Sequence, residues 1–213
     1  MNTLQALRNI RSRLFARYMA GALLEDDDSA TAQTRRRLLA DIGGAVLEIG
    51  PGSGANLALL AGRPGLRWMG FEPNPYMHPY LRAEAAQLHI AVDLRRGSAE
   101  RLDAPDESAD AVICTHVLCS VNDPAAALRE VLRVLKPRGR FVFIEHVAAP
   151  PGTALRALQN AIRPVWQAVG DGCHTNRETW RTLQDAGFAR LELEHFRVPA
   201  PLVSPHIAGT GYK

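Results

Sequence analysis

The chain is predicted to be an α/β protein: one mostly parallel sheet with helices on both faces, preceded by a helical N-terminal segment. Three observations carry this. From Ala45 onward, short apolar runs of strand length alternate with amphipathic helical stretches. The first run, Ala45-Val-Leu-Glu-Ile49, opens directly into Gly50-Pro-Gly-Ser-Gly54, a strand, glycine turn and helix start in succession. The runs are nearly continuous in apolar residues, as strands covered on both faces must be.

In order, Leu4 to Leu24 is predicted as a helix, with Leu4, Leu7, Leu14, Phe15 and Tyr18 at helical spacing and Arg8, Arg11, Arg13 and Arg17 on other faces. A second helix spans Thr31 to Asp41 and stops at Gly43-Gly44. After the first strand a helix starts near Asn56. Leu66 to Phe71 is the second strand, Tyr76 to Leu88 a helix, Ile90 to Leu94 the third strand and Asp110 to Cys114 the fourth. Asp123-Pro124 reads as an N-cap with proline in the first turn of a helix through Leu135, ended by Lys136-Pro-Arg-Gly139. Arg140 to His146 is the fifth strand. Thr153 to Val169 is predicted helical with a break at Pro164. Thr175-Asn-Arg-Glu178 fits a capping box opening a helix to Ala186. Phe188 to Val198 alternates as a half-exposed strand, and His206 to Tyr212 is a short last strand.

At 213 residues with no repeat or long low-complexity tract, the chain reads as one domain, residues 1–213, with the helical segment 1–41 as a lid. A net charge of +3 is too weak to argue for nucleic acid. The Arg35-Arg36-Arg37 cluster after the acidic Glu25 to Asp28 run reads as a solvated helix face, without interleaved aromatics for base stacking. Cys114, Cys119 and Cys173 are too few and odd in number for a disulfide framework. No apolar run approaches the ~18 residues of a membrane span, and no signal peptide is visible, so a cytoplasmic protein is expected.

The glycine turn sits at a strand end, where open α/β sheets bind ligands. With Ala55 it also satisfies the degenerate dinucleotide pattern, so it does not identify a ligand by itself. Glu48 just ahead of the loop, with no basic residue in it, disfavours a pyrophosphate and favours the cationic S-adenosylmethionine (SAM). Glu72, ending the second strand, can accept hydrogen bonds from two ribose hydroxyls. Ser98 and Glu100 in Gly97-Ser-Ala99-Glu100 are candidates for an adenine edge, and Pro73 and Met77 for its face. Met77 reads equally well as a core methionine.

The stretches Glu48 to Gly54, Glu72, Gly97 to Glu100 and Val134 to Phe141 resemble the successive motifs of class I SAM-dependent methyltransferases, including the ubiquinone and menaquinone C-methyltransferases. The resemblance implies a Rossmann-like, seven-stranded sheet whose last strand is antiparallel. It implies a SAM-binding core over residues 44–146 and an acceptor-side part over 147–213. The expected cofactor residues are Glu48, Gly50, Pro51, Gly52, Ser53, Gly54, Asn56, Glu72, Pro73, Asn74, Met77, Gly97, Ser98, Ala99, Glu100, Thr115 and His116.

A narrower resemblance rests on Cys114 to Val121, Glu145 to Ala148, Asp171-Gly-Cys173, Thr175 to Trp180 and Pro205-His-Ile207. These are similar to the alkyl-thiol S-methyltransferases, which carry an N-terminal membrane anchor where this chain has an amphipathic helix suited at most to peripheral membrane contact. Departures are Pro51, His116 and Glu72, the last in place of the more usual aspartate. The resemblance implies a small thiol as acceptor. The alternatives are O-, N- or C-methylation of a quinone-like, lipid or other small metabolite, and a SAM-binding protein without catalysis.

A thiol of pKa ~8.5 is already partly thiolate at neutral pH, so it needs positioning more than a strong base. His146, after the fifth strand, and His174, on the turn after Asp171, are the candidate catalytic groups. Asp171 either orients a histidine or simply makes the turn. No metal is expected, since the cysteines and histidines show no C-x₂-C or H-x₃-H spacing.

Overall fold

A computed structural model describes residues 3–21 and 29–213. The predicted acidic run from Glu25 to Asp28 and the end of the first predicted helix, residues 22–24, lie outside the described residues. The sheet has seven strands: β1 (Ala45–Ile49), β2 (Arg67–Phe71), β3 (Val92–Arg95), β4 (Ala109–Thr115), β5 (Leu135–His146), β6 (Arg190–Arg197) and β7 (Pro205–Tyr212). Their spatial order is β3-β2-β1-β4-β5-β7-β6. β1 to β5 pair in parallel, and β7 runs antiparallel to both neighbours. This is the expected doubly wound sheet with its reversed last strand. Chain order switches direction between β1 and β4, and ligands of such sheets bind at that point, beyond the strand C-termini.

The helices are α1 (Thr3–Gly21), α2 (Ala30–Leu39), α3 (Leu57–Leu60), α4 (His78–Gln87), α5 (Pro124–Val134), α6 (Ala154–Val169) and α7 (Thr179–Gln184). Local chemistry starts several of them. Asp123 accepts from the Ala126 N–H at 3.0 Å at the head of α5, and Thr153 from Arg156 N at the head of α6. β5 shows how the two faces are filled: Phe141 and Phe143 join Leu128, Val131 and Leu183 on one side, while Val142 joins Leu39, Leu57 and Leu81 on the other. The alternation is the two-residue period of a strand buried on both faces.

Three local expectations are corrected. Leu135 begins β5 instead of ending the helix, because it pairs with Ala109 of β4. Pro164 does not break α6. Asn160, whose carbonyl loses its helical N–H partner there, lies on the exposed side, where water can replace the bond. The capping box at Thr175 does not form. The Thr175 hydroxyl donates instead to the Gln159 carbonyl at 2.9 Å, and Glu178 pairs with Arg156 and Arg181.

α1 places Phe15 and Met19 on the wall of a cavity at the sheet's C-terminal edge, while Ile10, Leu14 and Tyr18 remain exposed. Among the described residues, no helix is long and apolar enough to cross a membrane.

Candidate active site

The cavity has a volume of about 610 Å³ and is bounded by the ends of β1, β2 and β4. The Gly50–Gly54 loop forms its floor. Gly50 donates its N–H to Phe71 O at 2.9 Å, which ties the loop to β2. Its φ is +60°, and a Cβ there would fall 2.4 Å from Val117 Cγ2, so only glycine fits. At Gly52, with φ +57°, a Cβ would meet nothing within 4 Å, leaving bare main chain beside the cavity.

Glu72 is buried on the wall. Its Oε2 accepts from Gly52 N at 3.0 Å and its Oε1 from Asn74 N at 2.8 Å. Desolvation pushes its carboxyl up to about 7, against the two backbone hydrogen bonds, with the charges of Asp171 and Glu48 adding to the rise. Asn74 reaches away from the loop. Its Nδ2 donates to Ser12 O at 3.0 Å and to Asp171 Oδ2 at 3.1 Å, while Ser12 Oγ donates to Asp171 Oδ1 at 3.1 Å. α1, the end of β2 and the loop after α6 are thereby joined.

Of the expected cofactor residues, Gly50 to Gly54, Glu72, Pro73, Asn74, Met77, Thr115 and His116 lie on this wall; Glu48, Asn56 and Gly97 to Glu100 do not. Glu48 is buried behind the loop, where Asn56 Nδ2 (2.8 Å) and Trp68 Nε1 (3.0 Å) donate to it. Burial raises its pKa despite those bonds. Gly97 lets its loop pack on Phe71, since a Cβ would lie 2.8 Å from the ring. Glu100 accepts from Asn122 N at 2.8 Å and Asp123 N at 3.4 Å, and so holds the turn into α5. Ser98 Oγ donates to Glu100, and Ala99 is core. These four residues build the neighbouring turn instead of the cavity wall.

Of the candidate catalytic groups, only Asp171 lines the cavity, and it is engaged with Ser12 and Asn74. Its φ of +49° also makes it the turn residue. His174 turns away: its Nδ1 contacts Cys119 O at 3.1 Å and its Nε2 contacts Gln167. His146 sits behind the wall, with Nε2 3.0 Å from Cys173 Sγ and Nδ1 buried without a partner. Burial alone would lower its pKa, but the hydrogen bond to Cys173, together with the negative charges of Cys173 and Glu145, raises it. The histidine on the wall is His116, whose Nε2 lies 3.2 Å from His206 Nε2. Burial, with the imidazoles of His206 and His146 nearby, holds its pKa well below the usual range.

The turn that carries His116 and Cys119 is shaped by Glu145. The carboxylate accepts from the N–H groups of Val117 (2.8 Å), Leu118 (2.8 Å) and Cys119 (3.2 Å). Cys119 and Cys173 meet at 3.7 Å between sulfurs, and Trp166 Nε1 donates to Cys173 Sγ at 3.2 Å. The Cys119 thiol keeps its proton and its hydrogen bond stabilises the Cys173 thiolate, whose pKa falls to about 4. Sequence spacing missed this cluster, because its members come from three separate segments. Chain proximity gave no signal, whereas the sheet brings the ends of β4 and β5 side by side.

A family model described as a methyltransferase domain matches residues 47–143. The human thiol S-methyltransferase TMT1B is 36% identical over 211 residues, spanning 92% of this chain and 85% of its own length. The human thiol S-methyltransferase TMT1A is 38% identical over 79% of this chain and 70% of its own length. A phosphatidylethanolamine N-methyltransferase of Cereibacter sphaeroides is 31% identical over 64% of this chain and 68% of its length. Among solved structures, a SAM-dependent methyltransferase of Mesorhizobium loti superposes with a TM-score of 0.65 at 22% identity, over 88% of this chain and 99% of its own. That likeness concerns the fold.

Proposed function

Because this chain belongs to the SAM-dependent methyltransferase family that contains the thiol S-methyltransferases, we propose that it methylates a small thiol, with the Gly50–Gly54 loop and Glu72 holding SAM. The observation that carries the thiol reading is the extent of similarity to the human thiol S-methyltransferase. It covers 92% of this chain, including the acceptor-side third where the shared SAM-binding motifs are absent.

The residues fit SAM. Bare main chain at Gly52 and a buried carboxylate at Glu72 face one cavity, whose size lies within the usual small-molecule range of ~300–1,000 Å³. When bound, SAM supplies an electrophilic methyl group on a sulfonium. Glu72, once ionised, accepts from ligand hydroxyls. Glu48 stands behind the loop, held by Asn56 and Trp68, and backs the loop's main chain. α1 covers the cavity with Phe15 and Met19 as a lid and excludes water, while the Ser12, Asn74 and Asp171 bonds latch it.

The acceptor side is bounded by His116, Val117, Ser120 and Asp171. Among the described residues no strong base stands there: His116 is held neutral by burial, and Asp171 is committed to the latch. An acceptor that ionises on its own near neutrality suits such a wall, and an alcohol does not. An amine is the second reading, favoured by the similarity to the Cereibacter sphaeroides N-methyltransferase. Transfer of labelled methyl from SAM to matched thiols, amines and alcohols tests both: thiol product supports the first, and amine product alone replaces it with the second. A cytoplasmic site of action is part of the same reading and is checked by fractionation.

A further inference from the structure

We propose that Cys119, Cys173 and His146 form a binding site for one zinc-class divalent metal ion. Their donor atoms, Sγ, Sγ and Nε2, all lie within 4.8 Å of one another. The two sulfurs are 3.7 Å apart. Two thiolates held tetrahedrally on zinc at ~2.3 Å would stand ~3.8 Å apart, nearly the same distance. His146 Nε2 is 3.0 Å from Cys173 Sγ and would move out by about half an ångström to sit as a third tetrahedral ligand at a Zn–N distance of ~2.0 Å.

The surroundings suit a metal. Cys119 and His146 are 2% and 6% exposed, so these two donors are already dehydrated, and Cys173 is half-buried. Each comes from a hydrogen-bonded segment: Cys119 from the turn pinned by Glu145, His146 from the end of β5, and Cys173 from the loop after α6, where its N–H donates to Gly170 O at 3.0 Å. Trp166 Nε1–H reaches Cys173 Sγ at 3.2 Å, the kind of outer hydrogen bond that orients a thiolate ligand. In the ligating tautomer the imidazole proton sits on Nδ1, which leaves Nε2 free to coordinate. Two thiolates and one neutral imidazole balance a divalent ion, leaving no net charge in a buried place. The donors are soft sulfur and borderline nitrogen with no carboxylate among them, which selects zinc and its relatives over magnesium or calcium.

Three protein ligands leave one tetrahedral position for water or an incoming thiolate. Ser120 and Asp171, chain neighbours of the cysteine ligands, already line the cavity. Use of that position by an acceptor sulfur rests on the thiol reading; the metal site itself does not.

The test uses the whole chain, purified under reducing conditions without a histidine tag. It is dialysed against zinc and then against metal-free buffer. Elemental analysis is expected to find about one zinc per chain in the wild type. Cys119→Ser, Cys173→Ser and His146→Gln should each lose it, and Cys114→Ala should keep it. Cobalt loaded into the wild type should give a thiolate-to-cobalt charge-transfer band and tetrahedral visible bands. This keeps the test decisive if a variant fails to fold. A folded, reduced wild type that holds no zinc and gives no cobalt–thiolate band overturns the proposal. So does metal retained in all three ligand variants, or intact-mass evidence that Cys119 and Cys173 form a disulfide under the reducing conditions used. None of these readouts depends on methyl transfer, so failure of the metal site and failure of the thiol reading are distinguishable.

Discussion

Asn74 Nδ2 donates to Asp171 Oδ2 at 3.1 Å across 97 residues of chain, and both groups also bind Ser12 of α1. The end of β2, the loop after α6 and the N-terminal helix thus meet at one three-residue latch beside Glu72. In the proposed function this latch joins the N-terminal helix to the end of the cavity that would hold SAM.

Asp171→Asn keeps a residue that tolerates the observed φ of +49° but removes the charge from both bonds. Charge-assisted hydrogen bonds contribute ~1.5–3 kcal/mol against ~1 for neutral ones, so the lid should loosen by about 1 kcal/mol. The KM for SAM is expected to rise about five- to tenfold with little change in melting temperature. An unchanged KM in steady-state assays would remove the latch from SAM binding.

Glu72 gives a pH signature. Its carboxyl lies at about 7 in the fold against an ordinary 4.5, so the ionised form is penalised by folding. The stability it contributes is present below pH 4.5, is lost as pH rises through 7 and levels off above. The difference corresponds to roughly 3 kcal/mol at most. Comparing urea unfolding of the wild type with Glu72→Gln from pH 4.5 to 8, the wild type should lose stability relative to the variant. SAM affinity should do the opposite, strengthening roughly tenfold between pH 6 and 8 in the wild type and staying flat in the variant. Parallel pH profiles in the two proteins would contradict the assignment.

Gly50→Ala meets two obstacles, the left-handed φ and the Val117 side chain. The backbone term alone is about 1–2 kcal/mol. The single variant should lose SAM binding by calorimetry and melt lower than the wild type. Adding Val117→Ala should recover the part due to the clash and leave the backbone cost. A Gly50→Ala protein that binds SAM normally would show that the loop does not need this conformation.

S-Adenosylhomocysteine should raise the melting temperature, with a stabilisation of about 2.7 kcal/mol at a hundred times its dissociation constant, whereas NAD should not. A shift with NAD alone would return the glycine loop to its dinucleotide reading.

Much of the fold was legible in the sequence, because strands buried on both faces write continuous apolar runs and Asp123-Pro124 writes a helix start. The Gly50 loop and Glu72 were legible because each follows its strand directly. That Ser98 and Glu100 lie off the cavity wall was not legible, because a loop's direction after a strand is set by tertiary contacts, here Phe71 and the turn at Asn122. His146 and Cys173 were read singly, and their pairing depends on how α6 and its following loop lie against β5, which no local pattern encodes. The sequence placed His116 with the cofactor residues and His174 with the catalytic candidates, and only the fold puts the first on the wall and turns the second away from it.

The central claim is methyl transfer to a thiol on a wall that offers no strong base. The most direct measurement is the initial rate of SAM-dependent methylation of one alkyl thiol, its alcohol and its amine, at saturating SAM from pH 6 to 9, in the wild type and in His116→Ala. The thiol should react at least about a hundredfold faster than the alcohol, since only it is appreciably ionised in this range. Its rate should rise with pH toward the ionisation of the acceptor itself, in the variant as in the wild type. Equal rates for thiol and alcohol, or an amine methylated faster than the thiol, would contradict the account.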